Sequence, residues 1–175
     1  MKLTRRSALG AVAMTGAALL LPAGLRAAIE TSGARTLEPL LSYGDWLGRR
    51  PTAESLAGRV VLVDVFTFGC YNCANITPNL RKLNRTEPGE NFAIIGVHTP
   101  ETPFERERAH VVEGLRHLGI TWPVAIDNDS RLWDTYGIEY WPTQLIFDRS
   151  GKLHATVIGD SQDAAVDATV KKLLA

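Results

Sequence analysis

Val60-Val61-Leu62-Val63-Asp64-Val65-Phe66-Thr67-Phe68-Gly69-Cys70-Tyr71-Asn72-Cys73 passes without a break from an apolar run into a pair of thiols. The run Val60 to Phe66 is β-branched, aliphatic and aromatic except for one aspartate, the pattern of a strand buried on both faces. Helical spacing starts near Tyr71. Ala74, Ile76, Leu80 and Leu83 form an apolar stripe, and Pro78 within it predicts a kink. Cys70 and Cys73, the only 2 cysteines of the chain, therefore fall where a buried strand turns into a helix. Unpaired backbone N–H groups at a helix start stabilise a thiolate, so Cys70 is the expected nucleophile. Cys73 lies one turn on, on the same side and within pairing reach, and is the expected buried, resolving thiol. Asp64 sits mid-strand, where a carboxylate needs a partner or a task. Desolvation would raise its pKa and suit it to accept the proton of Cys73; a hydrogen bond to a neighbour such as Thr67 is the competing reading.

Outward from this segment, strands and helices alternate. On the N-terminal side, Gly44 to Pro51 predicts a short hairpin or turn, and Thr52 caps a helix of one or two turns over Ala53 to Leu56. On the C-terminal side, Pro88-Gly89 ends the cysteine helix and Phe92 to Val97 reads as a second buried strand. Pro103 opens a helix that Gly119 closes, with Glu105, Arg106, Glu107 and Arg108 read as a solvated face. Trp122 to Ile126 predicts a third strand, and Asp129 or Ser130 a cap for a short helix closed by Gly137. Thr143 to Phe147 and Leu153 to Ile158 predict a hairpin around Asp148-Arg149-Ser150-Gly151, and Ser161 a cap for the last helix. Such alternation implies an α/β domain with right-handed crossovers, a mostly parallel sheet and an antiparallel hairpin at the end. His98 ends a strand on the side where sites gather in open α/β sheets, although an exposed strand-end histidine is the plainer reading.

With 175 residues, 45% hydrophobic and 22% charged, the chain is sized for one domain with a full core. Its 19 basic and 19 acidic side chains cancel, which argues against nucleic acid or an anionic membrane as partner. Residues 1–28 combine Lys2, Arg5 and Arg6 with a small-residue apolar stretch from Ala8 to Leu21 and a small-residue cleavage region, the pattern of an export signal. Thr4-Arg5-Arg6-Ser7-Ala8-Leu9 partly resembles a twin-arginine signal, with a Sec route or an uncleaved membrane anchor as alternatives. Residues 29–37 read as a flexible lead-in and 38–175 as the folded domain. A dithiol exported to the periplasm faces an oxidising compartment and needs a redox partner there.

The combined motifs resemble a family. Val63 to Cys73 is similar to the active-site segment of the thioredoxin superfamily, with Asp64 six residues before Cys70 as the superfamily's buried aspartate is. Tyr136-Gly137-Ile138-Glu139-Tyr140-Trp141-Pro142-Thr143-Gln144-Leu145-Ile146-Phe147 resembles its cis-proline segment. Ile95 to Glu101 and Leu118 to Asp129 resemble the periplasmic TlpA/DipZ-like branch. The resemblance implies a thioredoxin fold, a central mixed sheet flanked by helices with an inserted βα unit between the CxxC helix and the cis-proline strand. It implies too that Pro142 is cis and lies beside Cys70, and that Cys70, Cys73, Asp64 and Pro142 carry the chemistry. Tyr71, Asn72 and Trp141 are the candidate substrate contacts, Tyr71 and Trp141 as an apolar rim. Tyr71-Asn72 replaces the Gly-Pro of thioredoxin, Gly69 its tryptophan, and Ile76 an acidic residue found in some cytochrome-maturation reductases.

The expected activity is thiol–disulfide exchange with protein cysteines, in cytochrome c or other envelope protein maturation, with no cofactor. Two other chemistries compete. A peroxiredoxin-type thiol peroxidase would use Thr67 at its Thr-x-x-Cys spacing, and a maturation factor would hold copper(I) on the dithiol. Zinc finds no second ligand cluster, since His98, His110, His117 and His154 are not paired at ligand spacing.

Overall fold

The computed structural model describes residues 35–87 and 89–175. The expected export signal at 1–28 and the lead-in up to residue 34 lie outside the described residues. The chain order is α1 (Glu38–Ser42), β1 (Trp46–Leu47), α2 (Ala53–Leu56), β2 (Val60–Phe66), α3 (Tyr71–Thr86) and β3 (Phe92–His98), then a 3₁₀ turn (Pro103–Arg106). It continues with α4 (Arg108–Leu118), β4 (Val124–Ile126), α5 (Arg131–Tyr136), β5 (Thr143–Phe147), β6 (Leu153–Ile158) and α6 (Asp163–Leu174).

Six strands form one sheet in the order β1-β4-β3-β2-β5-β6. β2 pairs in parallel with β3 and β3 with β4, whereas β1–β4, β2–β5 and β5–β6 are antiparallel. The sheet is thus mixed, with antiparallel pairings in the majority rather than the mostly parallel sheet expected from the alternation. β2 lies inside it, and all seven of its residues are buried. Strand alternation then divides its side chains between two layers. Val60, Leu62 and Phe66 pack with Cys73, Ile76 and Leu80 of α3, Val111 of α4 and Val170 of α6. Val61, Val63 and Val65 pack on the other side with Leu40 of α1 and Leu132 and Tyr136 of α5. The same alternation puts Asp64 in the α3 layer, the layer that holds Cys73.

Local sequence explains most element ends. Thr52 and Ser55 cap α2 reciprocally, Thr52 Oγ1 accepting from the Ser55 N–H at 3.1 Å and Ser55 Oγ from the Thr52 N–H at 2.8 Å. Asp148 Oδ1 closes the β5–β6 turn by accepting the N–H groups of Ser150 (2.8 Å) and Lys152 (3.1 Å).

Several expectations are corrected. The turn expected at Gly44 to Pro51 contains an edge strand, Trp46–Leu47, paired with Ala125 and Val124. Residues 35–37 are pinned rather than loose: Leu37 is buried and donates its N–H to Gly151 O at 3.2 Å, and Leu153 donates to Arg35 O at 2.9 Å. The helix expected from Pro103 is broken at Glu107, whose extended backbone (ψ 118°) separates the 3₁₀ turn from α4. Neither Ser130 nor Ser161 caps with its side chain; both adopt positive φ, and the residue flanking α6 is Gln162. The other candidate, Asp129, accepts the Arg131 N–H at 3.5 Å, and Asp127 adds the N–H groups of Leu132 and Trp133, each at 3.0 Å.

Candidate active site

β2 delivers the chain to the site and α3 carries it away. Cys70 is the residue preceding the first turn of α3, with extended backbone (φ −80°, ψ 122°), and its Sγ accepts the Cys73 N–H at 3.3 Å. An N-terminal residue whose side chain accepts from the third residue on is a helix cap, here with sulfur in place of the usual oxygen. Cys70 is part-exposed and Cys73 is buried, both as free thiols. The two cysteines thus divide as their positions on the helix predict.

Burial pushes the Cys73 thiol well above the ordinary cysteine range. Its hydrogen bond with Cys70 and the nearby Asp64 carboxylate add to the rise, while a Thr67 backbone group opposes it. Asp64 is 2% exposed, and its Oδ1 has no hydrogen-bond partner among the described residues. Desolvation pushes its carboxyl up to about 7. The competing expectation, a bond from Thr67, is not met: the Thr67 hydroxyl contacts His98 Nε2 at 3.3 Å.

The Trp141–Pro142 peptide is cis, as the resemblance implied. Thr143 stands opposite Val65 in the β2–β5 ladder, so the antiparallel register carries Pro142 toward Phe66, where β2 leads into the cysteine loop. The Pro142 carbonyl accepts the Gly159 N–H at 2.9 Å. Trp141 is half-buried against the core layer that contains both cysteines. Its indole N–H donates to Thr99 O at 3.1 Å, and its ring lies 4.3 Å from that of Trp133. Tyr71 is 79% exposed, and Asn72 is exposed beside it. Tyr140 is also largely exposed, so apolar side chains stand open on both motif segments.

Two residues read as solvated are not. His98 is fully buried, stacked on Phe68 (5.4 Å between centroids, 15° between planes) and edge-on to Phe66. Desolvation lowers its pKa to about 4, against a small upward pull from Glu105, so the ring is neutral at pH 7. Its position at the end of β3 is exposed in a bare strand; the loop carrying Phe68 covers it. Glu105 is 4% exposed, although Arg106, Glu107 and Arg108 do face solvent. Its Oε1 accepts the Gly69 N–H at 3.2 Å, and its Oε2 accepts the N–H groups of Glu101 (2.8 Å) and Thr102 (2.7 Å) and the Thr102 hydroxyl (3.2 Å). Burial acts to raise this carboxyl, but the donors, led by the Thr102 N–H, outweigh it and hold it below the usual range. The signal that could have found Glu105 is local: Thr102-Pro103-Phe104-Glu105 has capping-box spacing.

Among the described residues no group of three or more His, Cys, Asp or Glu could hold a metal ion, and no helix is long and apolar enough to cross a membrane. The arrangement suits electron transfer between sulfurs: one accessible thiol at a helix start, one buried thiol in reach, and a buried carboxyl able to exchange a proton near neutrality.

Comparison with known proteins identifies the family and the fold. The model of the AhpC/TSA family matches residues 39–156. DipZ of Mycobacterium tuberculosis is 33% identical over 152 residues, which is 85% of this chain but 22% of DipZ, so the chain spans about a fifth of that relative's length. The thiol-disulfide oxidoreductase YkuV of Bacillus subtilis is 26% identical over 131 residues, 74% of this chain and 88% of YkuV. A thiol-disulfide isomerase from Corynebacterium glutamicum superposes with a TM-score of 0.70 at 24% identity, over 76% of this chain and 92% of its own. The fold is that of thioredoxin.

Proposed function

The chain belongs to the AhpC/TSA family, and from that premise we propose that it is a thiol–disulfide oxidoreductase acting on protein cysteines through Cys70 and Cys73. The observation that carries the reading is the asymmetric dithiol: part-exposed Cys70 caps α3 with its sulfur and buried Cys73 stands one turn behind. YkuV, a thiol-disulfide oxidoreductase similar to most of this chain, supports the same chemistry.

In the reducing direction the Cys70 thiolate attacks one sulfur of a substrate disulfide. A mixed disulfide forms and the other substrate sulfur leaves as a thiolate. Cys73 then attacks Cys70 Sγ, the Cys70–Cys73 disulfide forms, and the second substrate sulfur departs. Two electrons pass to the substrate, and a second dithiol must return them. The buried Cys73 thiol holds its proton tightly, so resolution needs a base, and Asp64, poised at about 7, fills that role. Tyr71, Asn72 and Trp141 flank the mixed disulfide, and Pro142 presents the adjoining backbone. We place the activity in the periplasm on the export pattern of residues 1–28, with envelope protein thiols as substrates and a dedicated envelope dithiol as redox partner.

The thiol-peroxidase alternative wants a free Thr67 hydroxyl and an arginine at the loop. Thr67 is fully buried against His98, and no arginine is hydrogen-bonded to residues 67–73 among the described residues.

The test compares insulin disulfide reduction with hydrogen peroxide turnover. Wild-type protein is expected to reduce insulin and to turn over peroxide no faster than a free thiol. Cys70→Ser should abolish insulin reduction, and Cys73→Ser should accumulate mixed disulfides. Insulin reduction retained in Cys70→Ser, or peroxide turnover far above that of free thiols, overturns the reading.

A further inference from the structure

Just ahead of Cys70 the loop between β2 and α3 is fastened to another part of the chain on two consecutive residues. Phe68 stacks on His98, and its ring abuts Gly114 of α4, where an added Cβ would come within 2.5 Å of it. Gly69 donates its N–H to Glu105, and an added Cβ there would sit 2.3 Å from Glu105 Oε1. A Cβ at this position displaces the carboxylate from the Gly69 N–H, which gives a physical reason for glycine immediately before the first cysteine. The other oxygen of Glu105 collects three donors from Glu101 and Thr102. One buried carboxylate therefore bridges the cysteine loop and the segment that follows β3.

We infer that Glu105 is a positioning residue that tunes the dithiol: it fixes the backbone of the Cys70 loop and sets a buried negative charge beside it, favouring the role of electron donor. The inference rests on the reading of Cys70–Cys73 as the working site. Its sign follows from the half-reaction. The disulfide takes up two electrons and one proton to give one thiolate and one thiol. The disulfide is neutral and the thiolate is not, so a nearby fixed anion raises the free energy of the reduced form alone. Electrons are then released more readily, and the reduction potential is more negative than it would be without Glu105.

Glu105→Gln isolates the effect. The amide offers one acceptor oxygen and one NH₂ group. Three donors converge on Oε2 and one on Oε1, so the amide oxygen takes the Oε2 place and the NH₂ group confronts the Gly69 N–H. The charge and the loop contact are lost while the contacts within residues 101–105 persist. In the full chain equilibrated with glutathione, the variant's dithiol is expected to shift toward the reduced form by about tenfold, about 30 mV less negative. Alkylation of Cys70 by iodoacetamide should speed up at pH 6 to 7. Gly69→Ala, which pushes the carboxylate off the same N–H, should lose most of its effect on both readouts in the Glu105→Gln background. Should Glu105→Gln fail to fold, Glu105→Asp keeps the charge but withdraws it by one methylene, and a smaller shift of the same sign is expected. A glutathione equilibrium and alkylation profile unchanged from wild type, or a shift toward a more reducing dithiol, overturns the inference and leaves a plain loop brace. Failure of the function reading is separate: it shows as insulin reduction surviving in Cys70→Ser.

Discussion

Asp64 and Glu105 are both buried carboxyls beside the same short loop, one behind it in the sheet and one in front of it. They are treated in opposite ways. Asp64 has an orphaned oxygen and an uncompensated loss of solvent, and its carboxyl rises to about 7. Glu105 has four donors on two oxygens and stays below the usual carboxylate range. Burial alone therefore does not fix the charge state; the number of donors reaching the oxygens does. One carboxyl is left able to exchange a proton near neutrality, and the other is a fixed anion.

The largest consequence is expected from Asp64. Its pKa in the folded protein, about 7, lies above the ordinary 3.8, so between these values the folded state binds a proton that the unfolded chain does not. Stability falls as pH rises through that window, by about 4 kcal/mol from this group. Urea melts of the reduced protein at pH 5 and pH 8 isolate this part as the difference between wild type and Asp64→Asn, which should change by about 3 kcal/mol between the two pH values. Asp64→Asn should also flatten the rise of the resolving rate near pH 7. An unchanged pH dependence of both would dissolve the contrast with Glu105, because Asp64 would then be stabilised by partners as Glu105 is.

His98 sharpens the comparison from the basic side. Its folded pKa of about 4 lies below the ordinary 6.5, so the unfolded chain takes up the proton first as pH falls. The stability that His98 contributes is full above about 6.5 and is lost toward pH 4, by about 3 kcal/mol. Between pH 4 and 6.5 this slope opposes that of Asp64, and the wild-type profile should be nearly flat there. Asp64→Asn is expected to uncover the acid limb, and His98→Phe in the same background to erase it again. A limb that survives His98→Phe would assign the acid sensitivity to another group.

The contrast also separates what was legible in the sequence from what was not. β2, β5 and β6 have the expected ends, because each is an apolar run bounded by turn residues or a glycine. The dithiol was legible for the same reason: Cys70 and Cys73 meet across one helical turn, and position on that turn sets which is buried. Asp64 could be flagged because it interrupts a run that has to be buried. Glu105 and His98 could not be flagged that way, because what buries them arrives from elsewhere in the chain. Phe68 lies 30 residues before His98, and Gly69 lies 36 before Glu105. The capping-box spacing ties Glu105 to Thr102, but nothing local shows the Gly69 N–H that joins it to the cysteine loop. The edge strand Trp46–Leu47 escaped notice because two residues are too few to show a period.

The smallest effect and the opposite sign belong to Glu105→Ala. Removing this carboxylate strands the N–H groups of Gly69, Glu101 and Thr102, all of them on residues with exposed surface that water can reach. Rehydration limits the loss to about 2 kcal/mol, less than a fully buried set of donors would forfeit. The loss should be full at neutral pH and shrink as pH falls, because the low folded pKa of Glu105 means that its contribution disappears on protonation. Asp64→Asn gains stability at pH 8 relative to pH 5, whereas Glu105→Ala loses most where Asp64→Asn gains most. Denaturant melts of both variants across pH 4 to 8 set the two slopes side by side. If Glu105→Ala were neutral at pH 7, its four donors would not be holding the loop, and the pair of carboxyls would differ in charge state without differing in structural work.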